Sequence, residues 1–158
     1  MGYALVTGAG IRVGRAVALG LAQAGFDLVL HANRSREALD AVADECRDLG
    51  SEVLVAPADL SLRVSRTEWL DNIFSQIKTL DVLVNNAAIY ESLPLNQIDY
   101  AAWDKMLALN LEAPFFITQG LLPLLKKGSS ASIINITDSG LDWPDSEYAH
   151  YFASKAGL

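Results

Sequence analysis

Short apolar runs alternate with helix-patterned segments along the whole chain, and this alternation restricts the available folds more than any other feature. Residues 3–7 (YALVT), 27–31 (DLVLH), 52–56, 81–84 (DVLV) and 131–137 (ASIINIT) are short and rich in strand-forming residues. Between them lie helical patterns at 12–24, closed by Gly25, then from Ser35, at 61–78 with mixed charge outside, at 100–109 and at 113–127. A loop with Gly140 and Pro144 leads to a further helix near Tyr148. Strands this apolar are expected to be covered on both faces, and strand-helix-strand units cross over right-handed into a parallel sheet. The expected architecture is therefore α/β, a doubly wound parallel sheet.

The chain has 158 residues, of which 51% are apolar, enough for one domain with a real core. Its net charge of -7 lacks the clustered Lys and Arg that a phosphate backbone demands, so no nucleic-acid partner is expected. No apolar run reaches the roughly 18 residues of a bilayer span, and no basic leader precedes the first strand. The expectation is a soluble, cytoplasmic protein without a membrane partner. Cys46, the single cysteine, falls in the helical stretch 37–49, where it has no partner for a disulfide and no second thiol for a metal. It reads as helix packing, and no metal site is expected.

The first strand runs into Thr7-Gly8-Ala9-Gly10-Ile11-Arg12-Val13-Gly14. Glycines at such a bend let the backbone approach a pyrophosphate, and the helix that opens there offers free N–H groups and its positive dipole end. A glycine-rich turn alone could be only a tight strand-helix connection; its place in a strand-helix-strand unit favours a dinucleotide. Where the second strand ends, an NAD enzyme usually carries Asp or Glu against the ribose, but this chain reads His31-Ala32-Asn33-Arg34-Ser35. Arg34 can fork onto a 2'-phosphate, Ser35 can add a donor, and Arg12 can approach from the first turn, so NADPH is expected over NADH. The competing reading makes Arg34 a solvated surface charge.

Further along, Val84-Asn85-Asn86-Ala87-Ala88, Asp59-Leu60, Leu109-Asn110 and Tyr151-Phe152-Ala153-Ser154-Lys155 follow one another in an order that resembles the short-chain dehydrogenase/reductase family. Ala88 replaces the family's glycine. The resemblance runs from Val6 to Leu158 and implies a Rossmann-type NADP-binding domain over residues 1–158. It also implies cofactor contacts from Gly8, Gly10, Ile11, Arg12, Val13, Gly14, His31, Asn33, Arg34, Ser35, Asp59, Leu60, Asn86, Ala87, Ala88, Tyr151 and Lys155.

Tyr151 and Lys155 have a warrant of their own, because residues four apart share a helix face and can present both head groups to one site. A phenol with a pKa near 10 is a poor acid-base group at neutral pH, and an adjacent ammonium is expected to lower it. Taken alone, the pair could be ordinary residues of an amphipathic helix. Tyr148 is a nearby phenol, but Phe152 stands where its lysine would be.

Two departures point to a subfamily. Arg12 replaces the third glycine of the phosphate turn, and Asp138 stands thirteen residues before Tyr151, where most of the family has Ser. With the run 31–35, these are similar to pteridine reductases and the related dihydromonapterin and dihydrofolate reductases. That likeness implies transfer of the pro-S hydride of NADPH to a pterin ring carbon, with Tyr151 and Asp138 supplying the proton. Lys155 would hold the nicotinamide ribose, Asn110 would anchor a proton-relaying water, and Tyr90 would stack the pterin. Tyr90 could instead be a surface loop aromatic, and Ser139 competes with Asp138; the spacing and the needs of a ring nitrogen favour Asp138.

Relative to the family, the sheet is expected to lack its C-terminal strands, and the isolated 158-residue product to be inactive or weak. The family implies a homodimer or homotetramer, and Phe115, Phe116, Leu121 and Leu122 read as either core or subunit contact. The leading functional expectation is an NADPH-dependent reductase of a pterin-like small molecule. The alternatives are another short-chain carbonyl reductase, such as one acting on 3-oxoacyl thioesters, and a non-catalytic NADP-binding sensor.

Overall fold

A computed structural model describes residues 2–158. Five parallel strands form one sheet in the order β3-β2-β1-β4-β5: β1 Tyr3–Val6, β2 Asp27–Leu30, β3 Val53–Val55, β4 Val82–Asn85 and β5 Ser132–Asn135. The order reverses at β1, which pairs with β2 on one side and β4 on the other, as the doubly wound expectation requires.

Side chains alternate across each strand, and the alternation sorts them into two cores. Ala4, Val6, Leu28, Leu30, Val82 and Val84 join Ala18, Leu39, Val42 and Cys46 of helices α1 (Arg12–Gln23) and α2 (Arg36–Asp48). Leu5, Val29 and Leu83 meet Trp69 and Ile73 of α3 (Arg63–Gln76), with Ile117, Leu121 and Leu124, on the other face. Cys46 is thus core packing. Coverage on both faces holds for the central strands only: every residue of β5 is exposed and β3 is half-buried. Both are edge strands, with a hydrogen-bonded neighbour on one side alone.

Helix α3 begins two residues later than its charge pattern suggests, because the Ser61 hydroxyl and N–H are both donated to Asp59 Oδ1 in a turn that precedes it.

The two helices expected at 100–109 and 113–127 are one continuous helix. Segments α4 (Tyr100–Leu107) and α5 (Ala113–Leu125) are joined by a π-turn over Ala108–Glu112. Pro114 accounts for the wider turn: it has no N–H for the Asn110 carbonyl, and its ring would clash there in a regular α-helix. The merged helix, Tyr100–Leu125, is long and apolar enough to cross a bilayer by length and composition, which the separate runs were not. In this fold its α5 part packs on β4 and β5 and its α4 part against the helix Ala149–Gly157, and together they bury Met106, Asn110, Ala113, Ile117 and Leu121, while Phe115, Phe116 and Leu122 remain exposed. Glu112, at the end of the π-turn, is clamped to α3 by Arg66 and by Arg63, whose Nε lies 2.9 Å away. The last helix, α6, spans Ala149–Gly157.

Candidate active site

A crevice of about 670 Å³ opens at the carboxyl ends of the strands. Its walls come from the residues that follow each strand: Gly8 after β1, His31 after β2, Asp59 after β3, Asn86 after β4 and Ile136 after β5. This is the place where open α/β sheets bind ligands, and the volume is in the range of cofactor sites.

The glycine turn is held by close approach. Gly8 has φ 67, and a Cβ on Gly14 would lie 2.0 Å from the Gly8 carbonyl oxygen. Asn86 ties the turn to β4 by donating from Nδ2 to the carbonyls of Thr7 and Gly8, at 2.9 and 3.1 Å. The Thr7 hydroxyl in turn accepts from the N–H groups of Asn86 and Ala87, both at 3.0 Å. Arg12 carries φ 49, a left-handed conformation in a residue with a Cβ, at the position where the family has glycine.

Every residue expected to touch the cofactor lines this crevice: Gly8, Gly10, Ile11, Arg12, Val13, Gly14, His31, Asn33, Arg34, Ser35, Asp59, Leu60, Asn86, Ala87, Ala88, Tyr151 and Lys155. Arg12 and Arg34 form no salt bridge among the described residues, so two guanidinium groups face the crevice with donors to spare. Asp59 stays a carboxylate: the Ser61 hydroxyl holds its pKa below the usual range, helped by Asn33 and the nearby Arg34 charge. A narrow glycine turn opening on a helix, with Arg12 in the turn and Arg34 after β2 both without a salt bridge among the described residues, fits a phosphorylated dinucleotide.

Across the crevice, Tyr151 is 5% exposed and its hydroxyl donates to Asp138 Oδ2 at 2.6 Å. The Asp138 Oδ1 accepts from the Gly140 N–H at 2.7 Å, which fixes the carboxylate. Asp138 lines the crevice, while Ser139 begins a short 3₁₀ turn, Ser139–Asp142. Lys155 reaches the same crevice from one turn further along α6, as its spacing predicted. Its Nζ, however, donates to the Ile136 carbonyl at 2.7 Å.

This arrangement reverses the expected effect on the phenol. Burial and then the Asp138 carboxylate raise the pKa of Tyr151 well above the ordinary tyrosine value. The ammonium that was to lower it is committed to Ile136, and its own pKa is lowered by burial despite the charge of Asp138. Tyr151 therefore holds its proton at neutral pH, and Asp138, with its pKa lowered by the Tyr151 hydrogen bond, stays ionised. The pair is a protonated phenol beside a carboxylate, and the raised pKa makes that phenol a weaker acid than a free tyrosine.

Asn110 is fully buried and is not among the residues that line the crevice. Its Oδ1 accepts from the Ile89 N–H, and its Nδ2 donates to the Ile89 carbonyl, both at 2.9 Å, and to Ser154 Oγ at 3.1 Å. The side chain thus pins the loop that carries Tyr90 against α6.

Tyr90 stands at the crevice mouth, 60% exposed, with its ring stacked on Tyr148 at 4.4 Å and edge-on to Tyr151 at 4.7 Å. Two features escaped the sequence. Tyr148 lacks a lysine partner but supplies the face on which Tyr90 stacks, and Glu91 pairs with Lys105 Nζ at 2.7 Å across the crevice mouth. Glu91 directly follows Tyr90, which is the only hint the sequence holds.

Residues 2–158 match the short chain dehydrogenase family. A 3-oxoacyl-(acyl-carrier-protein) reductase FabG of Staphylococcus epidermidis is 32% identical over 155 residues, which cover 98% of this chain and 64% of that protein. A 3-oxoacyl-(acyl-carrier-protein) reductase of Synechocystis is 34% identical, over 98% of this chain and 63% of its own length. Among solved structures, a metagenomic short-chain oxidoreductase in complex with NADP shares 34% identity with a TM-score of 0.90, covering 99% of this chain and 71% of the other. The chain thus spans just under two thirds of the curated relatives it matches. None of these three is named a pteridine reductase, so the likeness to that subfamily rests on Arg12, Asp138 and residues 31–35 alone.

Proposed function

This chain belongs to the short chain dehydrogenase family, and on that premise we propose that it is a cytoplasmic, NADPH-dependent oxidoreductase whose substrate is a small carbonyl compound of the 3-oxoacyl thioester class. The observation that carries the reading is the Tyr151 hydroxyl, protonated and held on Asp138, in the same crevice as the glycine turn and Arg34. When bound, the dinucleotide supplies the hydride.

The residues of the chain do the rest. The glycine turn and the opening of α1 receive the pyrophosphate, and Arg34 and Ser35, with Arg12 from the turn, receive the 2'-phosphate. Tyr151 passes its proton to the substrate oxygen as charge develops there. That step leaves a phenolate beside the Asp138 carboxylate, two anions in contact, so Asp138 must take up a proton from water or the phenolate must be reprotonated at once. Lys155 supplies the nearby positive charge, held in place by Ile136. Self-association as a dimer or tetramer belongs to the same reading, with Phe115 and Phe116 of α5 exposed for it.

A second reading, reduction of a pterin ring, is favoured by one specific observation. A carboxyl group touching Tyr151 suits a ring nitrogen that needs a proton, and Tyr90 offers a flat face at the crevice mouth. The test is NADPH consumption with a 3-oxoacyl thioester and with a dihydropterin, each against Tyr151→Phe. Consumption, however weak, with the thioester and its loss in Tyr151→Phe is the expected result. Consumption with the dihydropterin alone would replace the first reading by the second; bound NADPH with no consumption in either would support a sensor.

A further inference from the structure

His31 lies in the crevice wall just after β2 and is 2% exposed. The Gly8 N–H donates to its Nδ1 at 3.2 Å, and its Nε2 lies 3.0 Å from the Ala58 carbonyl oxygen. An amide N–H can only donate and a carbonyl can only accept. The two contacts therefore admit one arrangement of the ring proton: Nε2 carries it, and Nδ1 offers its lone pair. Both nitrogens are thereby used, and neither is left to grip a ribose or a phosphate.

The ring is also held from the side. Trp69 meets it edge-on, with centroids 5.5 Å apart, and the Trp69 Nε1 donates to the Ala56 carbonyl at 2.8 Å. The His31 carbonyl accepts from the Ala9 N–H at 2.7 Å. A single residue thus reaches the phosphate turn at Gly8 and Ala9, and the exit of β3 at Ala58, next to Asp59.

We infer that His31 is a positioning residue for the dinucleotide: as the Nε2–H tautomer it ties Gly8 to Ala58 and so presets the gap between the glycine turn and Asp59. This rests on the reading that the turn binds NADPH. His31 acts through its neighbours rather than as a cofactor ligand, whereas Arg34, Asn33 and Ser35 keep that role.

Two near-isosteric replacements separate the bonds. In His31→Asn the side-chain oxygen replaces Nδ1 and can still accept from Gly8; in His31→Gln the amide nitrogen replaces Nε2 and can still donate to Ala58. NADPH affinity is measured by fluorescence titration on the 158-residue chain, with thermal unfolding as the control for folding, and the ring proton is located by long-range ¹H–¹⁵N spectra of the unaltered chain. Because the tie needs both bonds, His31→Asn and His31→Gln are each expected to weaken NADPH binding about threefold to tenfold, the effect of one lost neutral hydrogen bond, and His31→Ala, which loses both, at least as much. A spectrum placing the proton on Nδ1 would overturn the inference. So would NADPH affinity unchanged in all three variants, affinity unchanged in His31→Asn or in His31→Gln, or affinity reduced only in proportion to lost thermal stability, which would make the ring core packing. Failure of the unaltered chain to bind NADPH would remove the cofactor reading itself, and this inference with it.

Discussion

The Tyr151 hydroxyl donates to Asp138 at 2.6 Å, while the Lys155 ammonium, on the same face of α6, donates to the Ile136 carbonyl. The phenol is thus coupled to a carboxylate rather than to the ammonium, and its proton is retained instead of loosened. In a reduction the proton is present to be given, but the raised pKa makes this phenol a weaker acid than an ordinary tyrosine, so its transfer waits for negative charge on the substrate oxygen.

Replacing the phenol tests this directly. Tyr151→Phe is expected to lower kcat by about a hundredfold to ten-thousandfold, the usual worth of a general acid. NADPH affinity should change little, because the ring is kept. Steady-state rates and a binding titration measure the two separately.

Asp138→Asn removes the charge but keeps the shape. Spectrophotometric titration should show the Tyr151 phenol ionising at lower pH in Asp138→Asn than in the unaltered chain, since the carboxylate is one of the causes that raise its pKa. Activity of Asp138→Asn should fall, and Ser139→Ala should retain it. An active asparagine variant beside a dead alanine variant would assign the role to Ser139.

Arg12 and Arg34 are expected to select the phosphorylated cofactor. Arg34→Ala should weaken NADPH binding about tenfold to a hundredfold, as charge-assisted hydrogen bonds are lost, and leave NADH nearly unaffected. Arg12→Gly should also weaken NADPH. Its stability should move by less than about 1 kcal/mol, because relief of the left-handed strain at φ 49 is offset by the entropy glycine loses on folding. Thermal unfolding and paired titrations decide both.

Acid stability should carry the signature of His31. Burial pushes its pKa down from 6.5 to about 4, against the opposing Ala58 carbonyl and the Asp59 carboxylate. A group held neutral in the fold favours the unfolded chain once protons become available. Its contribution is therefore complete above the unfolded value of 6.5 and is lost as pH falls toward 4, on the order of 3 kcal/mol. His31→Asn should show a flatter decline over that window, measured by denaturant unfolding at several pH values.

Much of this was legible in the residues. Strands that repeat every few tens of residues, with helices between, determine a parallel sheet, and the positions after each strand necessarily gather at one end of it. Tyr151 and Lys155 reach one crevice because four residues make about one helical turn. What escaped depends on contacts through space. The π-turn at Ala108–Glu112 arises from Pro114 acting four residues back, and the Asn110 side chain within it is held by Ile89 and Ser154, residues distant in the chain. The direction of the Tyr151 pKa depends on which neighbour its oxygen meets, and the stack of Tyr90 on Tyr148 brings together residues from two separate loops. Spacing along the chain holds none of that information.

The central claim is that the crevice at the ends of the strands is shaped for a phosphorylated dinucleotide, and paired fluorescence titrations of the unaltered chain with NADPH and NADH test it most directly. NADPH is expected to bind about ten times more tightly or better, with the difference lost in Arg34→Ala. Equal or tighter binding of NADH would contradict the account.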